Sequence, residues 1–597
     1  MLGSIRLQEW IHRLELGAGV RYLRWLLVAV AFAMLALVYD SLCFRNFNNP
    51  EAMDAGQLGR NIAQGRGYTT FFVRPLSIGL TRDAREDKSS LLKEGHPDIS
   101  NPPVYPLLLA GLFRITPPPG DLGKIKGYNT YPPEMFMAIM NQMLLGLGAL
   151  LVFGLARRWF NLTVAWVSAL LFVLTELYWR FSISGLSTVL LMDLVLVLAW
   201  LLNGFEQRAR AGEAVGKLFL GLVTMGLVTG LILLTRYSAG WLIVPVAVFV
   251  GVCAPGRRIV SLAVLLGAFA LVVTPWVVRN VMASGLPFGT ATYAVLEGTP
   301  GFPADLMERS IDPVFTGLPG QQWQLFTSAL RKGAVGFREI VVSDLPRLGG
   351  SWLWPFFLVG LLVRFQNANL GRLRWWVVGS LALLIPVQAL TKTHLAGELP
   401  EVNSENLLIV FSPLVLIFAV GLFFVLFESR SAPSAAAYYG VMAGFVTLVS
   451  LPMFLALLPP RTPQMSSPYY APRIQQLAQF ANEREMLMSD VPWAVAWYGE
   501  RQCVSLTPSW RRDYFEINDF HKPINGLYVS ARTTDGRFIS NWYGGENRGW
   551  GEFMLQCFVR KEIPNGFPLK KSPEGLFSNG ELFLMDNDRW SAPQNRN

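Results

Sequence analysis

Eleven stretches of this chain are long and apolar enough to cross a bilayer, and that pattern leaves few architectures open. They run at about 22–41, 134–156, 162–181, 184–203, 216–235, 240–254, 259–278, 351–364, 374–390, 406–427 and 437–458. About 20 apolar residues in a helix cover the ~30 Å of hydrocarbon. Backbone polar groups in lipid must be bonded within the segment, so each stretch is expected to be helical. The composition agrees: 15% of the 597 residues are charged, against roughly 25% in soluble domains. With 39 Phe, 19 Trp and 17 Tyr, the chain carries far more apolar bulk than a disordered protein. The expected class is an α-helical polytopic membrane protein of about 11 transmembrane helices.

Positive charge alternates between the connections. The N-terminus holds Arg6, Arg13, Arg21 and Arg24. Arg157 and Arg158, then Arg208, Arg210 and Lys217, then Arg257 and Arg258, then Arg364, Arg372 and Arg374, then Arg430 follow later even-numbered spans. The positive-inside rule then places the N-terminus in the cytoplasm and, after eleven crossings, the C-terminus outside. This accounts for the formal net charge of +10 without a nucleic-acid partner. The first apolar stretch is expected to stay as an anchor, because it lacks a small-residue cleavage site.

Three large pieces then lie outside: 42–133, 281–350 and 460–597. Loops of that size are folded or functional, so the membrane part (1–459) would carry its chemistry on the outer face. The tail, 460–597, reads as an α/β domain. A helical pattern over 472–482 precedes strands at 486–490, 503–506 and 526–530, with an amphipathic turn at 491–499, which predicts a partly parallel sheet. The four cysteines are too scattered for a disulfide scaffold; Cys503 and Cys557 are either paired or buried free thiols.

The first outer piece holds most of the candidate chemistry. Glu51 and Asp54 follow span one directly, and a carboxylate at a membrane surface can activate an acceptor hydroxyl; an acid in a first helical turn also simply suits the helix dipole. His96 and Asp98 are close enough to share a site, but without further ligands they make a poor metal site. Arg236 and Arg279 end spans five and seven on the outer side, against the charge bias. Their guanidinium forks suit a lipid-linked phosphate, and snorkelling to headgroups is the competing explanation. Asp193 lies within a strongly apolar stretch and is a functional candidate or a helix–helix hydrogen bonder. No nucleotide-binding loop, zinc-protease helix motif or serine elbow is present.

The ordered set Arg60-Asn-Ile-Ala-Gln-Gly-Arg-Gly-Tyr68, Asn101-Pro-Pro-Val-Tyr-Pro106, Leu234-Thr-Arg-Tyr237 and Pro275-Trp-Val-Val-Arg-Asn280 resembles bacterial members of the protein mannosyltransferase superfamily. These are glycosyltransferases of the GT-C fold, related to the enzyme that adds aminoarabinose to lipid A. The tail's Ser489–Arg501 stretch is similar to one in the soluble domain of such enzymes. The resemblance implies a bacterial inner-membrane location with a periplasmic site and tail. It implies a polyprenyl-phosphate-linked sugar donor, inversion at the sugar, and an acceptor that is a glycan, lipid or protein.

By that resemblance the acid falls on Asp54, slightly preferred, or Glu51, and the phosphate on Arg236 and Arg279, with Lys392 or His394 replacing an Arg-Tyr pair that stands here as Ser404-Glu405-Asn406. Arg60, His96, Asp98, Tyr105, Asn280 and His394 complete the expected substrate site. No metal ligands are assigned, and a divalent cation stays open as a cofactor. The alternatives are a transporter or flippase of the same lipid, or a non-catalytic scaffold with the same fold.

Overall fold

The computed structural model describes residues 18–116, 130–213, 215–254, 258–313, 321–350, 352–363, 367–393, 401–428, 434–458, 469–534, 542–544, 548–573 and 580–590. Among them eight helices are long and apolar enough to span a membrane: Tyr22–Cys43, Pro132–Trp159, Thr188–Arg210, Leu218–Thr235, Arg258–Ser284, Leu370–Thr391, Leu408–Glu428 and Ala435–Leu457. A further apolar pair, Leu162–Val173 and Glu176–Ile183, meets at 50° and makes a ninth span if the two form one crossing. An interrupted helix survives in lipid only where its freed carbonyls find donors. Here Thr175 Oγ1 donates to the Leu171 carbonyl at 2.7 Å and Trp179 Nε1 to that of Val173 at 2.6 Å. The chain is a multi-pass membrane protein.

The two shortest of the eleven expected spans are short helices in the structure as well. The 240–254 stretch belongs to the apolar helix Tyr237–Cys253, which opens with a tight 3₁₀ turn. In 351–364 the helix is only Leu353–Gly360, a rise of ~12 Å at 1.5 Å per residue. Helix 408–428 lies enclosed at the centre of the bundle, whereas 22–43 and 258–284 face outward along most of their length.

On the outer side, Pro50–Ala63 forms a helix with Pro50 at its first position and Glu51 in its first turn, both favourable at a helix start. It lies close against helix Val104–Ile115 because Gly59 has no side chain. A Cβ there would stand 2.7 Å from that of Leu109 and 3.2 Å from the Pro106 carbonyl oxygen.

The sheet has five strands: β1 (Phe72–Val73), β2 (Met486–Ser489), β3 (Gln502–Ser505), β4 (Ile524–Val529) and β5 (Leu582–Met585), in the order β1-β3-β2-β4-β5. Only β5 is antiparallel. The strands expected at 486–490, 503–506 and 526–530 are β2, β3 and β4. The edge strand β1 comes from the first outer piece and pairs Phe72 with Cys503 and Val73 with Val504, so the sheet draws on both outer segments. Cys503 and Cys557 are buried free thiols.

Helix Pro492–Tyr498 follows β2 and is bolted to the membrane part. Arg60 donates to the carbonyls of Ala496 and Trp497, both at 2.8 Å, and lies 4.9 Å over the Trp497 ring. The buried Glu134 carboxylate accepts from Trp497 Nε1 at 2.9 Å, Tyr498 Oη at 2.6 Å and the Phe47 amide at 2.7 Å.

Candidate active site

Where the first outer helix, the tail helix and the outer ends of the bundle converge, they enclose a cavity of about 540 Å³, within the usual size of small-ligand sites. Glu51, Arg74, Arg236, Glu297, Glu405 and Trp493 are among its walls, so ionisable groups of both signs face one space.

Glu51 enters from the first turn of its helix. Its carboxylate accepts a hydrogen bond from the Ser404 hydroxyl. Burial pushes its pKa above the ordinary value, while the Ser404 bond opposes the rise. Asp54, one turn further on, is absent from the cavity wall. It is wholly buried: Oδ2 accepts from Arg74 Nη2 and Asn101 Nδ2, both at 2.9 Å, and Oδ1 from Gln57 Nε2 at 3.0 Å. The expectation that slightly favoured Asp54 therefore meets a carboxylate already committed to neighbours.

The two arginines differ in the same way. Arg236 is 8% exposed. Its Nη2 donates to Thr188 Oγ1 at 3.0 Å and Ser187 Oγ at 3.3 Å, and its buried Nη1 has no hydrogen-bond partner among the described residues. It lines the cavity. Arg279 does not. It donates to the carbonyls of Asp98 and Tyr68 and to Asn280 Oδ1, and stacks 4.9 Å over Trp276 and 5.3 Å over Tyr68.

Most of the remaining expected residues sit behind the cavity. Asp98 accepts from the amides of Ser100 (3.1 Å) and Asn101 (2.8 Å) and from the Asn101 side chain (3.1 Å). Burial, then the neighbouring Asp54, raise it to about 6. His96 bonds Ser77 Oγ through Nε2 at 2.7 Å; burial, then Arg279, lower it to about 3, so its ring is neutral. Asn280 donates to the Pro287 carbonyl at 3.3 Å and Tyr237 Oη at 3.4 Å. Lys392 pairs with Glu339 at 2.9 Å. Arg60 holds the tail helix. Tyr105 reaches the cavity wall, but its hydroxyl is tied to the Gly185 carbonyl at 2.8 Å. His394 lies outside the described residues.

The sequence reading overlooked four groups. Arg74, directly after β1, is ion-paired to Asp54 (2.9 Å) and Glu308 (3.3 Å) and lies 4.1 Å over Phe72. Glu405 accepts from the Thr393 amide at 2.9 Å. Glu297 is buried on the cavity wall, and burial, then Glu308, raise its carboxyl well above the usual range. Trp493 comes from the tail. Glu405 stands where the family's Arg-Tyr pair was expected and Trp493 within the Ser489–Arg501 stretch, but neither was assigned to the site, and the pairing of β1 with a strand some 430 residues later brings Arg74 to this wall. Among the described residues no three His, Cys, Asp or Glu side chains cluster so as to hold a metal ion.

No protein-family model and no curated protein matches the sequence. Among solved structures, ArnT from Cupriavidus metallidurans bound to undecaprenyl phosphate is similar over 95% of this chain and 99% of that one, with 13% identity and a TM-score of 0.54. The archaeal oligosaccharyltransferase AglB from Archaeoglobus fulgidus, in complex with an inhibitory peptide and a dolichol-phosphate, covers 95% of this chain and 75% of its own, with 12% identity and a TM-score of 0.49. The chain has the fold of ArnT, the GT-C fold that its motifs resemble.

Proposed function

We propose that the chain is a membrane glycosyltransferase that moves a sugar from a polyprenyl-phosphate carrier to an acceptor hydroxyl on a lipid, glycan or protein, with inversion at the sugar. One observation carries this reading: Arg236, whose guanidinium keeps a nitrogen without a hydrogen-bond partner among the described residues, lines a cavity that Glu51 also lines. A buried guanidinium nitrogen left without a hydrogen-bond partner is costly unless a ligand supplies one, and the guanidinium fork matches phosphate. Trp241 is 55% exposed yet also reaches the cavity, which leaves a lateral way in for a lipid tail.

In this mechanism the Glu51 carboxylate takes the acceptor's hydroxyl proton as that oxygen attacks the anomeric carbon. The bond from carbon to phosphate oxygen breaks, and its electron pair leaves with the polyprenyl phosphate, whose growing charge Arg236 stabilises. Burial keeps Glu51 a stronger base than an exposed carboxylate. Arg74 and Asp54 hold the wall behind it. The alternation of positive charge supports a cavity on the extracytoplasmic side, and the resemblance of the motifs to bacterial relatives supports a bacterial plasma membrane.

The test uses purified protein in lipid with a panel of polyprenyl-phosphate sugars and a lipid acceptor extract, following release of polyprenyl phosphate. Wild type should release it from at least one donor, and Arg236→Ala should bind that lipid poorly. Release from none, while the lipid still binds, would contradict a transferase and leave a lipid carrier.

A further inference from the structure

The tail's helix 492–498 shows an unusual side chain on its first turn. Pro492 and residues 494–498 are all buried, whereas Trp493 alone keeps part of its surface open, and that surface lines the same cavity as Arg236 and Glu51. Its indole N–H is already engaged, donating to Tyr469 Oη at 3.0 Å. Phe72 of β1 and Tyr469 meet it edge-on, at centroid distances of 5.9 and 6.4 Å. What Trp493 offers the cavity is therefore carbon surface, held still from three sides.

The helix itself cannot drift, because Arg60 fixes its last carbonyls and Glu134 fixes Trp497 and Tyr498. Phe72, Tyr237, Trp241 and Phe288 share the wall with Trp493 and with the Glu and Arg side chains, a mixture that calls for a ligand with one apolar face and a polar rim. A sugar ring has both. Its axial C–H groups carry partial positive charge and meet the negative face of an indole, while its hydroxyls reach the carboxylates and guanidinium groups around it. A cavity of about 540 Å³ has room for a sugar ring bonded directly to a phosphate on Arg236.

We infer that Trp493 is the platform on which the donor's sugar ring stacks, so that the extracytoplasmic tail supplies the sugar-recognition wall of a site otherwise built by the membrane part. This rests on the proposed transferase reading, and the test separates the two. Binding of bare undecaprenyl phosphate and of undecaprenyl-phosphate sugars (a hexose, a pentose and an amino-pentose) is measured by competition on the full-length protein in nanodiscs, for wild type, Trp493→Ala and Trp493→Phe.

Wild type should bind at least one sugar-bearing lipid more tightly than the bare one. Trp493→Ala should weaken that lipid about tenfold and leave bare undecaprenyl phosphate within twofold, and Trp493→Phe should restore most of the loss. Equal weakening of both lipids by Trp493→Ala would make the residue a structural plug and overturn the inference. So would an unchanged preference for the sugar-bearing lipid, or no preference in wild type. Failure of wild type to bind even bare undecaprenyl phosphate would instead overturn the transferase reading beneath it.

Discussion

Two groups of charged residues lie side by side around the cavity, and they are built in opposite ways. In one, Asp54, Asp98 and Arg279 lie behind the cavity and Arg74 and Asn101 at its wall, and all five are satisfied internally: carboxylates meet guanidinium or amide donors, and Arg279 lies over the adjoining Trp276 and Tyr68 rings. In the other, on the cavity wall, Glu51 holds one hydroxyl and Arg236 leaves a nitrogen unused. The same residue types serve both regions. What separates scaffold from site is hydrogen-bonding capacity left over beside a cavity: Arg60 Nε and His96 Nδ1 also lack partners among the described residues, but of the three residues Arg236 lines the cavity and the other two do not.

Four substitutions would break or sharpen this contrast. The largest effect is expected from Glu51→Gln, which should cut turnover about 10²–10⁴-fold while lipid binding, measured by competition, stays near wild type. The same residue sets a pH dependence. Glu51 works as the carboxylate, and burial raises its pKa, so activity should fall as pH drops through a point above the usual carboxylate range, and the Gln variant should lose that acid limb. Next, Asp54→Asn should act through stability, costing roughly 3 kcal/mol by leaving Arg74 with only Glu308; a thermal-unfolding series in lipid, with Asp54→Asn/Arg74→Met recovering part of the loss, checks it. Arg236→Ala should weaken polyprenyl-phosphate affinity about 10–100-fold with little change in unfolding temperature. The smallest effect is expected from Lys392→Ala: less than about 1 kcal/mol for its ion pair with Glu339, and unchanged lipid affinity. A strong loss of lipid binding there would move the phosphate site off the cavity wall.

Much of the scaffold was legible in the sequence because its signals are local. Runs of apolar residues located the eight long helices and the bent pair, and β2, β3 and β4 stood out as short apolar strands between turn residues. The two shortest stretches left their ends open because hydrophobicity alone does not show where a helix starts or stops, as the eight-residue helix at 353–360 illustrates. The strand β1 was invisible, since two residues have no periodicity and its partner lies far along the chain.

The site was legible as a set of residue types and not as an arrangement. Arg236 and Glu51 were both named, yet so were Arg279, Asp54, His96 and Arg60, which have the same charge or polarity and similar positions after a span. Only the three-dimensional partners tell them apart. Arg74 and Trp493 escaped notice because their place on the wall depends on the sheet joining the first outer piece to the tail.

The most direct test of the account is an experimental structure of the protein with undecaprenyl phosphate bound. The account predicts the phosphate within hydrogen-bonding distance of Arg236 Nη1, on the wall that Glu51 shares, with the Asp54–Arg74 pair intact behind it. A phosphate seated on Arg279 or Lys392, away from Glu51, would contradict it.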